Sequence, residues 1–297
     1  MLSVVPHRKL WYIISGIFVI AAIVPILIWR FNFGIDFTGG SLIEFDFNDG
    51  RPLVTEIERD FNELGATRVK VQTAGDRGMI IRSAFLSTST HRAIVEKFAG
   101  QAREARYEAI GPSIGQELAR KTVIGVILAL MGIVAYVAWV FRKASRDISA
   151  WCYGVVALIS MAHDVIIPMG VFAILGYFRN IEIDAPFIAA VLTILGYSIN
   201  DTIIVLDRVR ENVLSAHSEP FADVVERSVR QSFARSVNTT LTTILALLAI
   251  IVFGGASVRY FALALAIGIG VGAYSSIFIA APLLVTWHNH KNRRVEV

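Results

Sequence analysis

The chain is poor in cysteine and in charge, and each shortage excludes a class of function. Its 297 residues include a single cysteine, Cys152, which rules out an intramolecular disulfide and a cysteine-based zinc site. Charged residues make up only 18% of the chain, with a net charge of +4. No stretch gathers Lys and Arg on one polar face as nucleic-acid-binding domains do, so we expect no nucleic-acid partner.

Hydrophobic residues are abundant instead, at 55% of the chain with a mean hydropathy of +0.60. This composition is typical of a polytopic membrane protein. A bilayer-crossing helix needs roughly 20 mostly apolar residues, and six runs qualify: about 10–29, 122–141, 150–176, 186–206, 237–254 and 260–286. No small-residue cleavage site closes the first run before Arg30, which favours an uncleaved span over a signal peptide.

The distribution of Lys and Arg predicts the orientation of these spans. Positive residues concentrate in short cytoplasmic loops of membrane proteins. One side of this chain carries most of them, whereas the short connections on the other side carry only Arg179 and Arg259. We therefore expect both termini to be cytoplasmic, next to this set: Arg8, Lys9, Arg142, Lys143, Arg146, Arg208, Arg210, Arg227, Arg230, Arg235, Lys291, Arg293 and Arg294.

The long segment between the first two spans is then periplasmic and has its own fold. Alternating patterns predict strands at 41–47, 66–73, 78–84 and 105–111, and amphipathic patterns predict helices at 52–65 and 87–100. The order βαββαβ is the ferredoxin-like arrangement. The segment contains neither a Cys/His cluster nor a Gly-rich phosphate loop, which favours a binding or packing module.

Four regions follow from these patterns. They are residues 1–30 (cytoplasmic N-terminus and first helix), 31–118 (periplasmic ferredoxin-like domain), 119–287 (helices two to six) and 288–297 (basic cytoplasmic tail).

Polar residues form a stripe within the fourth span. At helical spacing they share one face, and they are Thr193, Gly196, Tyr197, Asn200 and Asp201. Asp201 lies six residues, or roughly 9 Å, before the charged residue Asp207. An ionised Asp at mid-membrane is unfavourable by about 2.5–3.5 kcal/mol. Two interpretations remain: a helix-end carboxylate that reaches the interface, or a protonatable relay group facing the bundle interior.

The fifth span has a matching stripe, formed by Ser232, Arg235, Ser236, Thr239, Thr243 and Ala246. Arg235 alone is typical of a side chain that extends to the membrane interface. Opposite an intramembrane carboxylate it becomes the natural counter-charge, because a guanidinium is permanently cationic. We therefore predict that Asp201 and Arg235 form a proton relay, supported by the polar residues Thr193, Tyr197, Asn200, Thr239 and Thr243.

Two further patterns occur in the spans. His163 and Asp164 interrupt the third span, without a second His or carboxylate nearby to complete a metal site. A hydrogen bond to a neighbouring helix explains them as well as a secondary functional role does. The sixth span places Gly268, Gly272, Ser276 and Ala280 at four-residue spacing, which predicts close helix packing.

Several motifs together resemble a known family. They are "GIDFTGG" (34–40), "GPSIG" (111–115), "HDV" (163–165), "GYSINDTIIVLDRVREN" (196–212), "RSVNTTLTT" (235–243) and the glycine-rich run 253–284. In order and spacing they are similar to the SecF branch of the SecD/SecF family, within the RND superfamily of transporters. The resemblance covers nearly the whole chain.

The resemblance implies an accessory, non-enzymatic subunit of the Sec protein translocase in the bacterial inner membrane. Its partners would be SecD, the SecYEG channel with SecA, the preprotein substrate and membrane lipid. Protons would be the coupling ion, with no cofactor and no metal. The family's intramembrane Asp corresponds to Asp201 and its Arg at the head of the next span to Arg235. SecD would supply a partner Asp and the other six spans.

Three alternatives remain at this point. A half-size RND-type exporter of small molecules or lipids would normally have a larger periplasmic region. An intramembrane protease using Asp201 with Asp164 would need both on facing helices at similar depth, and Asp164 is expected nearer the middle of its span. A purely structural subunit is the third alternative, against which the polar stripes argue.

Overall fold

A computed structural model describes residues 3–143, 150–215 and 219–295. Arg146, one of the positive residues used to predict the orientation, lies outside these ranges. The described residues form two compact units. We call residues 3–30, 126–175 and 186–295, as far as they are described, the helix bundle. Residues 31–125 and 176–185 form the sheet domain.

Long helices account for nearly all of the helix bundle. Six are long and apolar enough to cross a membrane, which confirms the six spans expected from the sequence. The bounds are α1 Arg8–Trp29, α5 Pro112–Val140, α6 Ala150–Arg179, α7 Ala185–Ser215, α8 Phe221–Phe253, α9 Ala256–Ser275 and α10 Ala281–Val295. The helices α9 and α10 together form the sixth span. A π-helical segment, Ser276–Ala280, joins α9 to α10. A short 3-10 turn, Phe141–Lys143, follows α5.

The six spans fall into two groups by burial. Roughly half of the apolar part of α6, of α7 and of the α9–α10 helix is buried, whereas most of α1, α5 and α8 is exposed. The core of the bundle includes the stacked rings of Phe141 and Tyr153 and the side chains of Leu206 and Leu284. Three inner helices therefore surround the interior, and three outer helices present apolar side chains to their surroundings.

The sheet domain has the predicted ferredoxin-like order. Its elements are α2 Ile35–Thr38, β1 Gly40–Phe47, α3 Val54–Glu63, β2 Lys70–Ala74, β3 Gly78–Ser83, α4 Thr88–Lys97 and β4 Ala102–Ile110. The four strands form one antiparallel sheet in the order β2-β3-β1-β4. The strand β2 begins at Lys70, later than the predicted residue 66, because Arg68 adopts a positive φ of 55° that interrupts the extended chain.

Alternation along the strands builds the core of this domain. Ile43, Phe45 and Phe47 of β1 point to one side and pack with Phe61 of α3 and Phe98 after α4. The predicted helix start at residue 87 is confirmed, since the Ser87 hydroxyl accepts from the backbone N–H of Thr90 at 3.1 Å.

The boundaries of the long helices differ from those expected from hydropathy. The helix α5 begins at Pro112, before the predicted boundary at residue 119, and its first turns carry the ion pair Lys121–Glu117. Likewise α10 continues to Val295, through most of the segment expected to be a tail. Helical structure continues past the apolar run in both places, because charged side chains end a hydropathy window without ending a helix.

Candidate functional site

Asp201 lies on the inner side of α7 and is only 5% exposed. Its Oδ2 accepts a hydrogen bond from the Ser236 hydroxyl of α8 at 2.6 Å. The Ser276 hydroxyl, at the start of the π-helical segment, lies against the same carboxylate. The adjacent Thr202 shares a hydrogen bond with Ser276 at 3.0 Å. The carboxylate is therefore surrounded by hydroxyl groups from α7, α8 and the α9–α10 helix.

Arg235 is near this carboxylate but does not touch it. Among the described residues no ion pair joins the two side chains, although the charge of Arg235 acts on Asp201. Arg235 is exposed, whereas Ser236 beside it is buried. The direct partner of Asp201 is thus the serine one position further on, which corresponds to a rotation of about 100° around α8.

Two polar stripes, not one, follow α8. The buried stripe consists of small hydroxyl residues at four-residue spacing: Ser228, Ser232, Ser236 and Thr240. The other stripe is exposed or half-exposed and contains Arg235, Asn238, Thr239 and Thr243. Helical spacing predicted a single face with members of both stripes, and the structure separates them.

The predicted supporting residues lie on the exposed side. Thr193 and Asn200 of α7 are exposed, and the Tyr197 hydroxyl is 3.4 Å from that of Thr243 on α8. We call the combined set the outer polar face: Thr193, Tyr197 and Asn200 of α7 with Arg235, Asn238, Thr239 and Thr243 of α8. Several of these hydroxyls donate to a carbonyl of their own helix, as Thr239 does to Arg235 at 2.9 Å.

His163 and Asp164 form a second buried polar group in the bundle. Asp164 is fully buried and His163 is 6% exposed. The Asp164 Oδ2 accepts from Ser198 of α7 at 2.5 Å and from Ser275 of α9 at 2.7 Å. Its Oδ1 lies 2.9 Å from Nδ1 of His163. Ser198, which contacts Asp164, lies about one helical turn before Asp201 on α7. The two carboxylates are therefore at similar depths, although the sequence suggested that Asp164 is nearer the middle of its span.

The helix α7 packs closely against α9 beside the two carboxylates. A Cβ on Gly268 would lie 2.3 Å from Ile194, and a Cβ on Gly272 would lie 3.2 Å from Ser198. The predicted small-residue seam in the sixth span is therefore confirmed as a packing seam. At the third level of the same seam Ser276 meets Thr202, so the seam also delivers the hydroxyls of the site.

Residues of the sheet domain bind the segment 182–185 of the same unit, which ends at the first residue of α7. The first helical N–H groups lack partners within their helix, and Asp36 of α2 supplies one, accepting from the backbone N–H of Ala185 at 2.7 Å. The backbone of Gly34 donates to Ile183 at 2.9 Å, and that of Ile183 donates to Asn32 at 2.7 Å. Sequence reasoning missed this role of Asp36, because its partner is 149 positions away.

An ion pair secures the same connection. Arg82 of β3 contacts Glu182 at 2.8 Å, and both side chains are largely buried, at 17% and 12% exposed. Burial raises the pKa of the Glu182 carboxyl above its ordinary value of 4.5, while the charges of Arg82 and Lys70 oppose that shift. This ion pair ties the loop that leads into α7 to the central part of the sheet.

The glycines of "GIDFTGG" allow close contact with the start of α5. Gly39 and Gly40 have φ values of +70° and +147°, which side chains disfavour. A Cβ on Gly39 would lie 2.7 Å from the Cα of Pro112, and one on Gly115 would lie 2.7 Å from the backbone nitrogen of Gly39. The two motifs at 34–40 and 111–115 are therefore in direct contact.

Metal-binding geometry is not found in the described part of the chain. Across residues 3–143, 150–215 and 219–295, no three His, Cys, Asp or Glu side chains are grouped closely enough to hold an ion. Asp201 and Asp164 are each held by hydroxyls.

Comparison with known proteins agrees with these features. Residues 90–290 match the family model described as "Protein export membrane protein SecD/SecF, C-terminal", and residues 30–49 match the "SecD/SecF GG Motif". The protein translocase subunit SecF of Thermobaculum terrenum is 36% identical, with 99% of this chain and 96% of that protein aligned. The protein of the same name from Anaerolinea thermophila is 35% identical, with 97% and 95% aligned.

A solved structure has the same fold. The crystal structure of SecDF, described as a translocon-associated membrane protein, from Thermus thermophilus superposes with a TM-score of 0.84 at 35% sequence identity. The match covers 96% of this chain and 38% of that longer protein. These similarities, which extend over almost every residue, show that the chain belongs to the SecD/SecF family of protein export membrane proteins.

Proposed function

We propose that this chain is an accessory subunit of the Sec translocase that uses the proton-motive force to promote preprotein translocation and release on the periplasmic side. Asp201 carries the proton, and Arg235 provides the charge against which its protonation state is set. The observation that carries the proposal is a buried carboxylate on an inner helix, next to a polar face at membrane depth. Family membership favours this function over a small-molecule exporter.

The outer polar face indicates where a partner binds. An Arg within the membrane is unfavourable by roughly 2.5–3.5 kcal/mol when nothing pairs with it. Arg235, Asn238 and Asn200 are exposed on the isolated chain, within helices apolar enough to span a bilayer. A second six-span subunit, SecD, covers this face and brings an acidic group to Arg235, which places the site between two similar halves.

The direction of coupling follows from the predicted topology. With both termini cytoplasmic in the bacterial inner membrane, the sheet domain is periplasmic and the SecYEG channel with SecA is the assembly being assisted. Within the sheet domain Asp36 binds Ala185 and Arg82 binds Glu182, and Ala185 is the first residue of α7. Asp201 lies 16 residues further along the same helix, about 24 Å away. A movement of α7 that follows protonation of Asp201 is thereby transmitted to the periplasm.

The available energy is modest. One charge crossing 100 mV releases about 2.3 kcal/mol, which shifts a two-state equilibrium by roughly fifty-fold. This is enough to bias an extended segment against backsliding and too little to unfold a stable domain.

The test uses membrane vesicles that contain the chain together with its partner subunits. Preprotein that becomes protected from protease is measured with the proton gradient intact or collapsed by a protonophore. We expect Asp201→Asn to abolish the part of translocation that depends on the gradient and to leave the gradient-independent part unchanged.

A matched control makes the same Asp→Asn substitution at a different position of α7. Asp207→Asn removes a carboxylate six residues later on α7, where Asp207 pairs with Arg210 near the surface. This control should keep the dependence on the gradient. The proposal is wrong if Asp201→Asn keeps it too. If Arg235→Ala behaves as wild type while Asp201→Asn is inactive, only the role of Arg235 is wrong.

A further inference from the structure

The pair His163–Asp164 is a buried titratable group that the proposed relay does not use. Its carboxylate accepts from donors on three helices: His163 of α6, Ser198 of α7 and Ser275 of α9. Within the described ranges no Lys or Arg forms an ion pair with Asp164. A carboxylate with this many donors is satisfied in its ionised form. In its ionised form Asp164 therefore has no Lys or Arg beside it among the described residues, and the titratable side chain that contacts it is His163.

One ring nitrogen of His163 has no hydrogen-bond partner among the described residues. Its Nδ1 faces the carboxylate, and its Nε2 is buried and makes no hydrogen bond to any residue that the structure describes. A neutral imidazole that donates from Nδ1 carries an unshared electron pair on Nε2. Buried polar atoms without partners are rare in folded proteins, and each one calls for an explanation.

One added proton on Nε2 removes the net charge of the pair. Protonation of Nε2 converts the imidazole into an imidazolium, and the pair changes from a net charge of −1 to a net charge of zero. A neutral, hydrogen-bonded ion pair is far less unfavourable in a low-dielectric interior than an isolated charge is. The proton is taken up without breaking the three hydrogen bonds to Asp164.

The neighbours of the pair connect it to the rest of the bundle. From α9, the Tyr274 ring stacks 6.1 Å from the ring of His163, and its hydroxyl is bonded to Ser15 of α1 at 3.0 Å. From α7, Asp201 is near enough for the charge of Asp164 to act on it. These two residues are the titratable groups recorded on the elements facing the pair.

We propose that His163–Asp164 is a second proton-binding site of the helix bundle, with the proton held on Nε2 of His163. Ser198 and Ser275 bond to Asp164, and the next serine, Ser276, lies against Asp201. A charge on either carboxylate disfavours a charge on the other, so the first proton is bound more readily than at an isolated site and lowers the affinity of the other site for the second. The role of this second site in translocation rests on the proposed function, whereas the binding of a proton by His163 does not.

The test is ¹⁵N-histidine NMR of the full chain in lipid nanodiscs between pH 8 and pH 5. Loss of one signal in His163→Gln assigns the residue. We expect a neutral Nδ1–H imidazole at pH 8 that becomes an imidazolium by pH 5. In Asp164→Asn the imidazolium signal should be lost over the whole range, because the counter-charge is gone.

A milder variant keeps the test decisive if Asp164→Asn does not fold. Ser275→Ala removes one donor to the carboxylate, which leaves Asp164 a stronger partner for the imidazolium. At pH 7 we expect a larger imidazolium fraction of His163 than in wild type. The matched control is Ser160→Ala, a buried serine of α6 with no recorded hydrogen bond, which should leave that fraction unchanged.

Three results would overturn the inference. They are a His163 that stays neutral from pH 8 to pH 5, an imidazolium that persists in Asp164→Asn, or equal fractions in Ser275→Ala and Ser160→Ala. The translocation assay with Asp201→Asn is independent of these readouts. A gradient-dependent wild type with a non-titrating His163 would disprove only the second site.

Discussion

The helix α7 meets acidic side chains in two places, and their partners differ in kind. At its beginning, Asp36 accepts from a backbone N–H and Glu182 pairs with a guanidinium. In its middle, Asp201 and Asp164 accept mainly from the hydroxyls of Ser236, Ser198, Ser275 and Ser276. A backbone N–H or a guanidinium can only donate, whereas a hydroxyl both donates and accepts.

This difference separates partners that serve one protonation state from partners that serve both. A backbone N–H or a guanidinium can bond only to a lone pair of the carboxyl group. Hydroxyl partners can rotate and serve either form. The start of α7 is thus an attachment point, and its middle can accommodate a change of protonation state.

The largest expected effect on stability is at the attachment. Arg82→Ala leaves Glu182 buried without its cation, and removal of one partner of a buried ion pair destabilises by about 3 kcal/mol. Hydrogen exchange of the β3 amides in the full chain would measure this loss. The control is Arg103→Ala, an exposed arginine of β4, and an equal effect there would contradict a specific role of the Arg82–Glu182 pair.

A smaller effect is expected at the helix cap. Asp36→Ala removes the acceptor for the N–H of Ala185 and should destabilise the first turn of α7 by about 1 kcal/mol, a typical value for a lost cap. Asp36→Asn keeps an oxygen acceptor and should destabilise the first turn by only a few tenths of a kcal/mol. Exchange rates of the amides at 185–188 report the difference. If Asp36→Asn abolishes gradient-dependent translocation as Asp201→Asn does, the two places are not different in kind.

Beside Asp201, we expect a substitution to affect function much more than stability. Ser236→Ala removes one neutral hydrogen bond, which is worth about 0.5–1 kcal/mol. Gradient-dependent translocation should nevertheless fall several-fold, because Asp201 loses its closest partner. Ser232→Ala, one turn earlier on the same buried stripe, is the matched control and should translocate normally. Equal losses in both variants would indicate a packing defect.

The smallest effect concerns pH. Burial raises the pKa of Glu182 in the folded chain, so its contribution to stability is fully present below pH 4.5 and is lost as the pH rises through the raised value. Glu182→Gln cannot ionise and should remove this dependence. The measurement is the free energy of sheet-domain opening from hydrogen exchange at several pH values. A wild type that gains stability relative to Glu182→Gln as the pH rises would reverse the assigned sign.

Periodicity was sufficient to predict the architecture. Six apolar runs and the βαββαβ order depend on neighbours within a few residues, which a single sequence displays. The ends of the helices could not be predicted from hydropathy, as the start of α5 at Pro112 shows. A helix that continues outside the bilayer carries charged residues, and a search for apolar runs stops at those residues.

Partners from distant positions could not be predicted in this way. The choice between Arg235 and Ser236 depends on the rotation of α8 against α7, and the cap from Asp36 joins positions 149 residues apart. One signal was nevertheless present. Ser198 and Thr202 repeat at four-residue spacing opposite the glycine seam of the sixth span, a pattern that places hydroxyls where two helices come closest.

The outer polar face also has a consequence for how the protein is made. A newly inserted chain that meets no partner keeps Arg235 and two asparagines against acyl chains, so water and headgroups must be drawn inward and the bilayer thins locally. The orphan subunit is therefore recognisable as incomplete by its deformation of the membrane.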